Sequence, residues 1–131
     1  MALSWECKRG MNNGTGYNEG VQTLSGTGGN ELSETLAIGT NTQFSFTCDV
    51  SQIVGLYIKA STACTIKTNS SGSPVNTFTM AANAPFLWTS SDGGALRDTA
   101  GTAVSTDITT LYVTNVAQCD LVVRVLTDAT P

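Results

Sequence analysis

From Thr42 to the C-terminus, apolar side chains recur at alternate positions, with little sign of helical spacing. The run Gln43-Phe44-Ser45-Phe46-Thr47-Cys48 shows the pattern most clearly, placing Phe44, Phe46 and Cys48 on one face of an extended strand. Such a strand is apolar on one side and polar on the other, so it must bury its apolar face against another layer. Short segments rich in Thr, Val, Ile, Phe and Tyr, separated by Gly, Asn, Ser and Pro, repeat this grammar down the chain. The spacing predicts further strands at 53–59, 63–68, 77–80, 85–88, 108–114 and 119–126. Asn69-Ser70-Ser71-Gly72-Ser73-Pro74 and Ser90-Ser91-Asp92-Gly93-Gly94 read as loops by composition. The expected architecture is all-β: a two-sheet antiparallel sandwich, jelly-roll or Greek-key like, as a single domain over residues 1–131.

The first thirty residues read differently. Gly10, Gly14, Gly16, Gly20, Gly26, Gly28 and Gly29 interrupt any long element, leaving short strand candidates at 3–7 and 21–24 and a strand at 31–38. Residues 10–30 are expected to be a Gly-rich region of long loops at one end of the sandwich, or an arm that reaches a partner.

One internal repeat constrains the arrangement further. Ile53-Val54-Gly55-Leu56-Tyr57-Ile58, five residues, then Cys64-Thr65-Ile66 matches Ile108-Thr109-Thr110-Leu111-Tyr112-Val113, five residues, then Cys119-Asp120-Leu121. The shared pattern is I-x-x-L-Y-[IV]-x5-C-x-[IL]. It predicts two pseudo-equivalent hairpins, one in each half of the sheet pair, with Cys64 and Cys119 at matching core positions.

Composition limits the function. Charged residues make up 12% of the chain, about half the usual share of a soluble domain. With a net charge of −4 and six scattered basic residues, of which only Lys8-Arg9 are adjacent, neither nucleic acid nor an anionic membrane is the expected partner. The start, Met1 to Cys7, lacks the basic and apolar regions of a signal peptide, and no run approaches the roughly 18 apolar residues of a membrane span. Synthesis in a cytoplasm is therefore expected. Cys7, Cys48, Cys64 and Cys119 read as buried thiols, with two disulfide bridges as the alternative.

Catalytic chemistry is not expected. There is no His, which excludes Ser-His and Cys-His nucleophiles and makes a zinc site improbable given the wide cysteine spacing. Lys59 and Lys67 fall on solvent-facing strand positions, and the ten acids fall mostly at strand ends and in loops. Gly26-Thr27-Gly28-Gly29 and Gly14-Thr15-Gly16 lack the lysine of a phosphate-binding loop, and Asp92-Gly93-Gly94 is too poor in oxygen ligands for calcium. Asn13-Gly14-Thr15 and Asn69-Ser70-Ser71 match the N-glycosylation pattern but read as ordinary loop residues. No catalytic, cofactor-binding or metal-ligating residue is assigned. Trp5, Tyr17, Trp88 and Tyr112 could form a stacking platform for sugars, although core packing is the preferred reading of the tryptophans.

From about Ile53 onward the chain resembles small β-sandwich structural proteins of tailed bacteriophages, of the capsid decoration (cement) or other head- and tail-associated type. The residues that carry the resemblance are Leu56-Tyr57-Ile58, the strand from Pro74 to Met80, Ala84 to Trp88, Thr110 to Asn115 and Leu121 to Asp128, with Leu3-Ser4-Trp5 near the start. The resemblance implies a virion protein, made in the host cytoplasm, that binds the major capsid protein and itself as a homo-oligomer, in particular a trimer. A carbohydrate- or receptor-binding β-sandwich module of a phage tail or other surface is the alternative.

Overall fold

The computed structural model describes residues 3–12, 17–92 and 94–129. Ten strands run in chain order: β1 Leu3–Asn12, β2 Tyr17–Gly26, β3 Gly28–Leu36, β4 Gly39–Cys48, β5 Ile53–Ala60, β6 Cys64–Thr68, β7 Thr77–Met80, β8 Phe86–Thr89, β9 Ile108–Asn115 and β10 Cys119–Thr127. Two short 3-10 turns, Val50–Gln52 and Ser90–Asp92, are the only helical elements among the described residues.

Eight of the strands form two four-stranded sheets, ordered β3-β10-β5-β8 and β4-β9-β6-β7. Their antiparallel pairs are nested: β6 with β7, β5 with β8, β4 with β9 and β3 with β10. The chain is thus one long antiparallel ribbon, bent at β6–β7, that wraps on itself through β5–β10 and β6–β9 pairings. This winding is the jelly roll, and it places both sheets face to face.

The alternation read from the sequence sets the faces. Leu56, Ile58 and Ala60 of β5, Ile66 of β6, Phe78 and Met80 of β7, Leu111 and Val113 of β9, and Leu121, Val123 and Val125 of β10 all point inward and are buried. Each fully buried aliphatic side chain stabilises the sandwich by about 1.5–3 kcal/mol. At the open edge, Phe78 and Phe86 meet edge to face with centroids 5.2 Å apart, joining β7 to β8 across the two sheets.

The internal repeat maps onto the four central strands, but not as hairpins. β5 and β6 lie in different sheets, and so do β9 and β10. Each copy is an arch that crosses the core, and the arches interlock, with β5 pairing β10 and β6 pairing β9. Alternation alone cannot separate an arch from a hairpin, because both present the same apolar face. Cys64 and Cys119 occupy matching buried positions at the starts of the second arms. The registers of the two pairings differ by two residues: Leu121 faces Ala60, whereas its counterpart Ile66 faces Val113 and not Asn115. A two-residue slip keeps every side chain on its face.

The loop reading of residues 10–30 gives way to strands over most of that span. β1 and β2 form a ten-pair antiparallel hairpin, from Leu3 opposite Gly26 to Asn12 opposite Tyr17. Gly14 and Gly16 lie outside the described residues. Gly10 and Gly20 sit within strands, Gly26 is the last residue of β2, and Gly28 and Gly29 open β3. Gly26 and Gly29 are needed for close approach: a Cβ at Gly26 would collide with the Thr127 carbonyl oxygen, and one at Gly29 would stand 2.6 Å from that of Val125.

Candidate binding cleft and loop end

The hairpin lies on the outer face of the β3-β10-β5-β8 sheet. Gly55, Leu126 and Thr89 form one outward row across β5, β10 and β8, and the hairpin buries all three. Leu24 and the Trp5 ring fill the space above Gly55, at 3.2 and 3.3 Å from where its Cβ would stand. Thr89 Oγ1 donates to Gln22 Oε1 at 3.2 Å. The result is a small second core, separate from the one between the sheets.

The next outward row is Glu31, Arg124, Tyr57 and Leu87, one residue from each strand of the sheet. This row is not covered in the same way. Arg124 Nε lies 3.3 Å from Glu31 Oε1, and both side chains are half exposed, at 52% and 51%. Between the row and β1 opens a cleft of about 410 Å³, lined by Tyr57, Leu87 and Arg124 from the sheet and by Trp5, Glu6 and Cys7 from the hairpin. On the other side of Trp5 and Arg124 a second cleft of about 370 Å³ continues along Gly29, Asn30, Glu31 and Val125. Together they make a groove with an aromatic partition and charged walls, of the size of small-ligand sites.

The two ends of the sandwich differ in chemistry. The pairing directions bring the β3–β4, β5–β6, β7–β8 and β9–β10 connections to one end. Hydrogen bonds lock them together: Asn115 Nδ2 donates to the Ala37 and Ala117 carbonyls, Thr62 Oγ1 to that of Gln118, and the Asn83 N–H to that of Ala60. Ala37, Ile38, Ser61, Thr62, Ala63, Ala81, Ala82, Asn83, Ala84, Pro85, Val116, Ala117 and Gln118 make up these connections, and none carries charge. Ile38 and Val116, 71% and 79% exposed, are the most exposed large hydrophobic residues described. The opposite end carries Asp49, Asp98, Asp107 and Asp128.

Asp98 holds that opposite end together and is 7% exposed. Its Oδ2 accepts from Asn76 Nδ2 and the Thr77 N–H, both at 3.0 Å, and its Oδ1 accepts from the Ala100 and Thr102 N–H groups, both at 2.9 Å. Burial raises the carboxyl pKa, but these donors outweigh it and hold the group below its ordinary value. Thr99 Oγ1 accepts from the Thr79 N–H at 2.7 Å. Outward donors of the edge strand β7 are thereby occupied, which blocks pairing with a foreign strand. Asp98 is a structural acid with no open oxygen for chemistry.

The remaining candidates separate. Trp88 faces inward against the main core and donates its Nε1–H to the Gly94 carbonyl at 3.1 Å. Tyr112 stands on the outer face of the opposite sheet beside Gln43 and Lys67, and the Tyr17 side chain lies outside the described residues. Trp5, Trp88 and Tyr112 do not converge. Tyr57, Arg124 and Glu31 join Trp5 instead, and only the strand register brings them together. Lys59 is exposed, while Lys67 is half-buried and donates to the Ser71 carbonyl. The Asn69 side chain is held by the Asp107 carbonyl and the Thr109 N–H, and Asn13 lies outside the described residues. All four cysteines are free. Burial, with the Asp107 and Asp49 charges, pushes Cys48 up to about 11; burial, with the neighbouring Cys119 thiol, pushes Cys64 up to about 12. Among the described residues no three His, Cys, Asp or Glu side chains are grouped to hold a metal, and no helix is long and apolar enough to cross a membrane. Comparison with family models, curated proteins and solved structures finds no match to this chain.

Proposed function

We propose that this chain is a virion structural protein, a capsid decoration (cement) protein that stabilises the head by binding across coat subunits. It acts as a homo-oligomer, with a trimer as the expected state, and its other partner is the major capsid protein. The observation that carries the reading is a jelly roll whose connections at one end carry no charge, with Asp120 at their rim beside Ser61. Jelly rolls serve in viral capsid and lectin domains, a fold-level analogy that sets a class and not a site. The loop end adds what the analogy lacks, because interface cores are depleted of charge. Ile38 and Val116 would each contribute about 1.5–3 kcal/mol on full burial against a neighbour. Binding only to the assembled shell then stabilises that shell by mass action.

The test is light scattering on the purified protein and on the double variant Ile38→Asp, Val116→Asp. Both positions are mostly exposed, so the variant should fold. The native chain should be oligomeric and the variant monomeric. A monomeric native chain that also fails to sediment with capsids would end the reading.

A second reading, a carbohydrate- or receptor-binding module, is favoured by the groove beside Trp5. It needs a ligand on this chain and no capsid.

A further inference from the structure

The geometry points to the groove between the hairpin and the row Glu31, Arg124, Tyr57 as a binding site for a neutral oligosaccharide, of about two sugar rings, one on each side of Trp5. This rests on the second reading above and gives it a location and a ligand class. It is independent of the loop end, which the decoration reading uses.

Three features support the assignment. First, the site is preformed. Trp5 is seated over Gly55, where any Cβ would crowd the ring at 3.3 Å, so its orientation is fixed before a ligand arrives. Second, the groove combines apolar surface with polar groups that reach solvent. Trp5, Tyr57 and Leu87 offer apolar faces suited to the C–H face of a pyranose ring. Arg124 offers N–H donors, and Glu31 offers carboxylate acceptors to hydroxyl groups. Third, the charge pattern selects the class. The guanidinium in the groove, that of Arg124, is already paired with Glu31 at 3.3 Å. A sialylated or sulfated glycan would compete with Glu31 for Arg124 and have to break the pair, whereas a neutral sugar can bridge the pair without displacing it. The two clefts, about 410 and 370 Å³, meet at Trp5 and Arg124, which both share. That continuity argues for a linear ligand crossing the partition over the half-buried Trp5 ring.

The test starts with an array of neutral and acidic glycans carrying hexose and N-acetylhexosamine di- to tetrasaccharides. The strongest neutral binder is then titrated by calorimetry against the native chain, Tyr57→Ala, Arg124→Ala and Tyr112→Ala. Thermal melting of each variant confirms folding. The expected result is saturable binding of a neutral glycan that weakens about tenfold or more in the first two variants and is unchanged in Tyr112→Ala, on the far sheet. The inference is overturned if no neutral glycan binds, if acidic glycans bind better, or if binding survives both groove variants. Should both groove variants melt early, the nuclear magnetic resonance signals of the two indole N–H groups decide: the ligand must shift Trp5 and leave Trp88 in place, and the reverse overturns the site. If a neutral glycan binds but not in this groove, the binding-module reading stands while this site falls. Oligomeric state measured on the same groove variants should match the native chain, which keeps the decoration reading separate.

Discussion

Replacing Asp98 by alanine removes the acceptor of four hydrogen bonds, from Asn76, Thr77, Ala100 and Thr102. Hydrogen bonds to a charged group contribute roughly 1.5–3 kcal/mol each, and a buried donor left unmatched costs about 1–3 kcal/mol. Part of that loss is recovered. Asn76 Nδ2 keeps the Ala103 carbonyl at 3.1 Å, and the Ala100 and Thr102 N–H groups lie in an exposed loop that water can reach. The expected net cost is about 3–4 kcal/mol, read from urea unfolding followed by tryptophan fluorescence with an unchanged slope. For a chain of 131 residues this corresponds to a fall of roughly 10–15 °C in melting temperature. Asp98→Asn should also be costly, because its NH2 group would face backbone donors. Its deficit should depend on pH in a defined way. The native carboxyl titrates below its ordinary value of 3.8, so it favours folding at pH values above 3.8 and loses that contribution as pH falls through its folded value. The gap between the native chain and Asp98→Asn should be constant near neutrality and narrow in acid. An Asp98→Ala protein within about 0.5 kcal/mol of the native chain at neutral pH, the range of ordinary surface changes, would refute this account of the acidic end.

Other expectations follow from the packing. Cys48 and Cys64, with thiols pushed up to about 11 and 12, and the fully buried Cys119 should resist alkylation in the native state. All four should react once unfolded without reductant, and fewer would mean that disulfides are present. Gly26→Ala must push the hairpin off the Thr127 carbonyl; a loss of about 1–3 kcal/mol is expected, and a neutral result would show that the hairpin does not sit as described. Leu121→Ala, at a position with 0% exposure, should cost about 2–5 kcal/mol in urea unfolding. Far-UV circular dichroism should show strand with negligible helix; more than about a quarter helix would contradict the sandwich.

Much of the sandwich was legible because its strands alternate. From β4 onward, Phe46, Ile58, Ile66, Phe78, Val113 and Val123 all sit where alternation put them. The repeat marks four strands that lie at the centres of the two sheets, but it reads as two hairpins, because a local pattern carries no information on which sheet the next strand joins. The hairpin was hidden by its glycines, which read as breaks. At Gly26 and Gly29 the glycine serves backbone approach to β10, a contact between residues about a hundred apart in the chain. The groove was hidden for a related reason. Arg124 interrupts the apolar run Leu121-Val122-Val123 and Val125-Leu126, and that interruption was the one local sign of an outward, solvated position. Its neighbours Glu31, Tyr57 and Leu87 are set by register alone.

The proposed function is attachment to a virus shell through the end whose connections carry no charge, and co-sedimentation with empty capsids tests it most directly. The native chain should pellet with capsids in a fixed stoichiometric ratio and raise their melting temperature. Ile38→Asp, Val116→Asp should stay in the supernatant and leave the capsids unchanged. A native chain that remains in the supernatant, or a double variant that pellets as well as the native chain, would contradict the account.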